Sequence, residues 1–190
     1  MGKLFVLMGK SATGKDTIYH ELLKRNKQIK AVIPYTTRPI RHGEKNGREY
    51  FFVTVEQMKE IEQRGDIVEC RQYDTIKGTW YYFTANDSQI DFSKDTIMIS
   101  TLEGYVKISE YYGKDKVEPI YIEVDDLTRI ERSLKREKEQ QVPCVSEVCR
   151  RFLADEEDFS ADKLNEAGIN HPVKNDQLEQ CIHMINERMR

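Results

Sequence analysis

The stretch GKSATGKDT, Gly9 to Thr17, sets two glycines five apart with a lysine directly behind the second. It fits the first seven positions of G-x-x-x-x-G-K-[ST]. Between a strand and a helix, the backbone N–H groups of such a loop and the positive helix end form a concave anion site. Lys15 adds one mobile positive charge for a transferring phosphate. Ser11, Ala12, Thr13, Gly14, Lys15, Asp16 and Thr17 are therefore expected on the phosphates of a nucleotide, and the loop alone leaves ATPases, GTPases and kinases open. Asp16 stands where a hydroxyl usually follows the lysine. A carboxylate is a harder oxygen donor for Mg²⁺ and is favourable in a first helical turn, which makes Asp16 the candidate metal ligand; a plain first-turn acid is the alternative.

A second constellation follows in YTTRPIRHGEKNGREYFFV, residues 35–53. Arg38 and Arg41 offer planar forks suited to a dianionic phosphate, and Tyr50 adds a neutral donor. The stretch resembles the acceptor-binding segment of guanylate kinases, T-T-R-x-x-R-x-G-E-x-x-G-x-x-Y-x-F-V. Thr36, Thr37, Arg38, Arg41, Gly43, Glu44, Gly47, Tyr50, Phe52 and Val53 all match in one register. By the resemblance, Arg38, Arg41 and Tyr50 hold the phosphate of GMP.

Glu69 in DIVEC aligns with the family's guanine-reading glutamate; a carboxylate can accept from both the ring N–H and the exocyclic amine of guanine. KGTWYYFT resembles the family's G-N-Y-Y-G-[ST], with Gly78 and Tyr81 in register. There the second glycine becomes Tyr82, and the hydroxyl that donates to the guanine carbonyl falls on Phe83, which leaves Thr84 as the candidate donor. ISTLEG sets Thr101 where the family carries an acceptor-side aspartate, and Asp16 is expected to replace part of that negative charge near Mg²⁺.

Phosphoryl transfer is served by positioning and charge neutralisation. Arg132 and Arg136, four apart and so on one helical face, match the family's lid motif R-L-x-x-R, and Arg151 matches the arginine of the returning lid helix. Their Glu-rich surroundings also suit a merely solvated face. By the resemblance, Asn175, ahead of Asp176, is expected on the adenine side. His42 and His171 are read as solvated.

The resemblance implies an α/β fold of the P-loop NTPase type, a parallel sheet flanked by helices with an acceptor-binding insertion and a small helical lid. The whole would be one domain: core 1–32, 94–126 and 161–190, acceptor region 33–93, lid 127–160. It implies transfer of the γ-phosphoryl of MgATP to GMP and dGMP. Two alternatives stay open. Ribose 1,5-bisphosphate phosphokinases share the G-K-D-[ST] loop, and some guanylate-kinase-like domains bind peptides without catalysis.

The elements that must position these residues are legible in outline. Leu4 to Met8 reads as a buried strand, and Ile18 and Leu22 give the helix after the loop. Thr54 and Gln57 form a capping box for a helix closed by Gly65. TIMIST and VEPIYIEV, strands at 96–101 and 117–124, flank a helix in LEGYVKISEYYG, a crossover unit that argues for a doubly wound sheet. Leu127, Ile130 and Leu134 are expected inward on one lid helix, Val148, Phe152 and Phe159 on the next, and Leu178, Cys181, Ile182 and Ile185 on a final helix. Pro172 argues against a strand at NHPVK.

At 190 residues the chain suits one buried core. A net charge of -3 gives no general attraction for polyanions, so nucleic acid is not expected as a partner. The N-terminal apolar run of five residues is too short for a membrane span. Cys70, Cys144, Cys149 and Cys181 show no CxxC spacing and read as reduced thiols, implying a cytoplasmic setting.

Overall fold

LFVLMG forms β1 (Leu4–Gly9), buried along its entire length, as a continuous apolar strand must be when both faces of its sheet are covered. The computed structural model describes residues 2–41, 43–75 and 78–189, and His42 lies outside them. After β1 come α1 (Lys15–Arg25), β2 (Lys30–Ala31), β3 (Tyr35–Thr36), β4 (Phe51–Phe52), α2 (Val55–Gln63), β5 (Ile67–Thr75) and β6 (Gly78–Ala85). The remainder is β7 (Thr96–Ile99), α3 (Leu102–Tyr112), β8 (Val117–Glu123), α4 (Asp126–Lys138), α5 (Val145–Asp158), α6 (Ala161–Glu166), β9 (Val173–Lys174) and α7 (Leu178–Arg188).

The architecture is mixed α/β, with a parallel central sheet flanked by helices. The chain divides into two compact units. The first comprises Met1–Leu4, Gln28–Met98 and Gly104–Glu118, and the second comprises Phe5–Lys27, Ile99–Glu103 and Pro119–Arg190.

In the first unit β2 pairs in parallel with β7, and a four-stranded sheet runs in the order β4-β3-β6-β5. The β5–β6 hairpin is its longest ladder, with Glu69 opposite Thr84, Arg71 opposite Tyr82 and Gln72 opposite Tyr81. Side chains alternate across a strand, and directly opposed residues share a face. Phe83, Ala85, Cys70, Ile67 and Tyr81 therefore pack with Met58 and Ile61 of α2 on one face, while Glu69, Arg71, Tyr73, Tyr82 and Thr84 take the other. The helix itself starts at the expected capping box, with the Thr54 hydroxyl accepting from Gln57 N–H and the Gln57 side chain returning to Thr54 N–H.

In the second unit β1, β8 and β9 lie side by side, with Ile122 in register with Val173. Pro172 does not prevent β9; it sits just before the strand, where a missing donor costs no ladder bond. Cys181, Ile182 and Ile185 of α7 are buried as expected. One member of the expected apolar stripe of α4 is corrected: Leu127 is 76% exposed, while Ile130 and Leu134 are half-buried and the buried residue of that helix is Arg129. Charge pairing has overridden the hydrophobic pattern there. The short strands β3 and β4 lie in a segment whose turn formers suggest only loops, and α6 has no counterpart in the sequence reading. Among the described residues no helix is long and apolar enough to cross a membrane.

Cys181 is buried and its thiol is pushed up to about 11 by desolvation, whereas Cys144 and Cys149 are exposed. Since thiolate is the reactive form, brief alkylation of the native protein at pH 8 should label Cys144 and Cys149 and spare Cys181. Peptide mass spectrometry checks the order, and labelling of Cys181 as fast as the others would contradict this packing.

Candidate functional site

The loop after β1 is shaped by close approach and by left-handed backbone. A Cβ on Gly9 would stand 2.8 Å from the Ile122 carbonyl oxygen, so only glycine fits where the loop leaves the sheet. Gly14 has φ 86° and is the N-cap of α1 without a side-chain cap, leaving the first N–H groups of the helix for an anion. Ala12 has φ 62°, a conformation that costs an alanine roughly 1 kcal/mol and that the surrounding contacts must offset. One such contact is the Thr13 hydroxyl, which donates to the Lys10 carbonyl at 2.9 Å; Thr13 is thereby turned inward as a brace rather than outward as a ligand. Lys15 projects from the start of α1, and among the described residues its side chain makes no ion pair.

Two side chains from distant sequence hold this loop. Asn175, expected on the adenine side, donates through Nδ2 to the Thr13 carbonyl at 2.8 Å and is buried. Its neighbours Lys174 and Asp176 line a cavity of about 430 Å³ together with Lys10, Thr13, Tyr121 and Asp125. Arg129, 1% exposed, donates through Nε to the Ser11 carbonyl, through Nη1 to Asp126 and Glu156, and through Nη2 to Asp155. The Phe152 ring covers its guanidinium at 4.8 Å. Asp155 also accepts from Ser11 N–H at 2.7 Å, and Glu156 accepts from Lys10 Nζ at 2.6 Å. Burial raises Glu156, but the hydrogen bonds from Lys10 and Arg129 outweigh it and hold the carboxyl below its ordinary range.

The expected lid arginines reach this neighbourhood unequally. Arg136 and Arg151 line one cleft with Ser11, Arg129 and Asp155, whereas Arg132 is exposed on α4 and does not line it. Arg151 donates through Nε to Glu147 at 2.8 Å, and Glu147, also bound by Arg150, has its carboxyl pulled down to about 2 by those hydrogen bonds. Thr101, two residues after the end of β7, belongs to the second unit and is half-buried.

Asp16 and Thr17 are exposed on the first turn of α1. Among the described residues no group of three or more His, Cys, Asp or Glu forms a cage for a metal. One carboxylate at a phosphate loop is what Mg²⁺ uses when its other ligands are nucleotide oxygens and water, so the residues fit a metal that arrives with its nucleotide.

Apart from Thr101, the acceptor candidates belong to the first unit. Arg38 is 3% exposed; its fork grips Glu44 at 2.8 and 3.1 Å, and its guanidinium lies 5.7 Å from the Tyr50 ring centre and 5.6 Å from that of Phe52. The Arg38 Nε–H is buried and has no hydrogen-bond partner among the described residues, a donor that an anion would satisfy. Arg41 is exposed, and its N–H donates to Glu44. The Glu69 side chain is fully buried. Its carboxylate accepts from the Thr84 hydroxyl at 2.9 Å and from Arg71 at 3.0 and 3.4 Å.

Tyr81 requires correction. Its side chain packs on the core face with Met58 and Phe83, and it is Tyr82 that shares the face of Glu69, with its ring 5.6 Å from that of Tyr50 and within electrostatic reach of Arg38. A period of two was the available signal, since a strand that presents Thr84 also presents residue 82 and turns 81 away. Arg129, Asp155, Glu156 and Arg71 were missed as well. For Arg71 the same alternation from Glu69 would have served; for the others the acidic run ADEED offered only a charge to be matched.

The family model described as guanylate kinase matches residues 1–190. The chain is 30% identical over 188 residues to a guanylate kinase of Cupriavidus metallidurans, covering 97% of this chain and 83% of that one. It is 30% identical over 188 residues to one of Thermotoga maritima, covering 97% and 84%. The crystal structure of guanylate kinase from Anaplasma phagocytophilum superposes with a TM-score of 0.67 at 20% identity, over 100% of this chain and 85% of that one, which is a likeness of fold.

Replacing Gly14 by Ala forces φ 86° on an L-residue and brings a Cβ to 2.7 Å from Asn175 Nδ2. Gly14→Ala should weaken MgATP binding at least about tenfold, measured by calorimetry, because the loop must deform. Arg129→Met leaves Asp155 and Glu156 without their shared partner and should lower unfolding free energy in urea by about 2–4 kcal/mol. A change below about 0.5 kcal/mol, the range of an ordinary surface substitution, would show that the Arg129 network is dispensable.

Proposed function

The chain belongs to the guanylate kinase family, and from that premise we propose that it transfers the γ-phosphoryl group of MgATP to GMP, and to dGMP, yielding ADP and GDP or dGDP. Membership makes it a nucleoside monophosphate kinase; the choice of guanine nucleotide is the finer reading. The observation that carries the phosphoryl-transfer reading is the cleft in the second unit lined by Ser11 of the loop with Arg136 and Arg151. Positive groups from α4 and α5 gather where an anion held by the loop would lie.

In this reading the N–H groups from Ser11 to Thr17 bind the β- and γ-phosphates, and Lys15 follows the phosphoryl group as it moves. Arg136 and Arg151 neutralise charge on its equatorial oxygens, with Arg132 a more distant contributor. Glu147 competes with phosphate for Arg151 and gives it up when the stronger anion binds. Mg²⁺, held beside Asp16, supplies Lewis-acid polarisation and charge neutralisation. Lys174 and Asp176 serve the adenosine side, while Asn175 acts through the loop. Within the first unit Arg38, Arg41, Tyr50 and Tyr82 bind the acceptor phosphate. Glu69 accepts from the guanine N–H groups, with Thr84 orienting its carboxylate. The division into core 1–32, 94–126 and 161–190, acceptor region 33–93 and lid 127–160 belongs to the same reading, as does a cytoplasmic setting.

The test is ADP release from MgATP by the purified protein with GMP, dGMP, AMP, UMP, CMP or ribose 1,5-bisphosphate as acceptor. GMP and dGMP should exceed the other acceptors by about 100-fold or more in kcat/KM, since a site built to bind a base's N–H groups rejects analogues lacking them. Lys15→Ala should cost about 100-fold or more in kcat. Turnover of ribose 1,5-bisphosphate alone would move the activity to a base-free acceptor, and ATP binding without any turnover would favour a binding module.

A further inference from the structure

The fork of Arg129 meets three parts of the second unit at once. Its Nε donates to the Ser11 carbonyl of the phosphate loop at 3.2 Å, its Nη1 to Asp126 of its own helix at 2.7 Å and to Glu156 at 3.0 Å, and its Nη2 to Asp155 at 3.2 Å. Arg129 stands near the start of α4 and the two carboxylates stand near the end of α5, so the contact ties the root of one helix to the root of the other. The Phe152 ring covers the guanidinium from the α5 side. Donors fixed in one rigid plane can meet these acceptors together only at one relative placement of the loop and the two helices.

What that placement carries lies further along both helices. Arg129, Ser133 and Arg136 are spaced i, i+4 and i+7 on α4, and Asp155 and Arg151 are four apart on α5, so each set shares a helical face. All five line the cleft that Ser11 enters. Arg151 stands about 6 Å along the helix axis from Asp155, and Arg136 about 10 Å from Arg129. Over such short rigid spans a shift at the root is passed on to the arginines, and about 1 Å of misplacement can cost about 100-fold in rate.

Resting on the phosphoryl-transfer reading above, we propose that Arg129 is a positioning residue for the reaction: it registers α4 against α5, and both against the phosphate loop, and so sets Arg136 and Arg151 on the transferring group. With 1% exposure it acts through those two arginines and not on the nucleotide. An Arg129 present only to neutralise Asp155 and Glu156 would change the folded fraction, and with it every activity by one factor, whatever stands at positions 136 and 151. A positioning Arg129 matters only while those arginines are there to be positioned.

The experiment is a double-mutant cycle on kcat and on KM for MgATP, run with the acceptor that the wild type turns over best and with the folded fraction of each variant measured by urea titration. Arg129→Lys keeps the charge beside Asp155 and Glu156 but replaces the fork by a point donor. It should lower kcat about 30-fold or more with KM for MgATP within about threefold, and in an Arg151→Met background the same change should cost less than about threefold. Asp155→Asn weakens the same tie from the α5 side and should show the same coupling, which keeps the test decisive if Arg129→Lys does not fold. Equal factors in both backgrounds, or a raised KM with kcat unchanged, would overturn the assignment while leaving phosphoryl transfer intact. A wild type that turns over no acceptor would instead remove the phosphoryl-transfer reading, and this inference with it.

Discussion

A guanidinium with almost no access to water governs the second unit. Arg129 is too costly to bury unpaired, and the structure meets that cost with Asp126, Asp155, Glu156 and the Ser11 carbonyl at once. Because two of those carboxylates also bind the phosphate loop, through Ser11 N–H and Lys10, the charge that α4 must bury fixes where the loop sits. Pairing has been coupled to positioning. The left-handed Ala12 is tolerable in the same context, since contacts on either side of it, to Ser11 and from Thr13, leave the backbone no cheaper route.

In the first unit the corresponding constraint is the period of two along the β5–β6 hairpin. One face carries Cys70, Phe83 and Tyr81 into an apolar cluster with Met58, and the other is committed to polar and aromatic side chains. Glu69 sits on that second face, fully covered and supported by a hydroxyl and a guanidinium. A buried acceptor held by two donors has a fixed orientation, which is what recognition of a planar base by hydrogen bonds requires. In the same unit the Arg38 Nε–H is buried beside Tyr50 without a hydrogen-bond partner among the described residues. Cationic, acceptor and aromatic groups are thus held in order by strand geometry and by ion pairs such as that of Arg38 with Glu44.

Local pattern alone determined a good deal. Gly9, Gly14 and Lys15 specify the phosphate loop because backbone conformation and close approach depend on residues adjacent in the chain, and the Thr54–Gln57 capping box and the apolar run of β1 are equally local. The candidate phosphate-binding set of Arg38, Arg41 and Tyr50 could be named for the same reason: its members lie within one short stretch. Only the tertiary structure decided that Arg129 rather than Leu127 turns inward, that Asn175 braces Thr13, and that Tyr82 rather than Tyr81 shares the face of Glu69. Each of those outcomes depends on which partner waits across a gap of many residues. The energy of a buried charge or a hydrogen bond is set by that partner and by the exclusion of water, neither of which is written at the position itself.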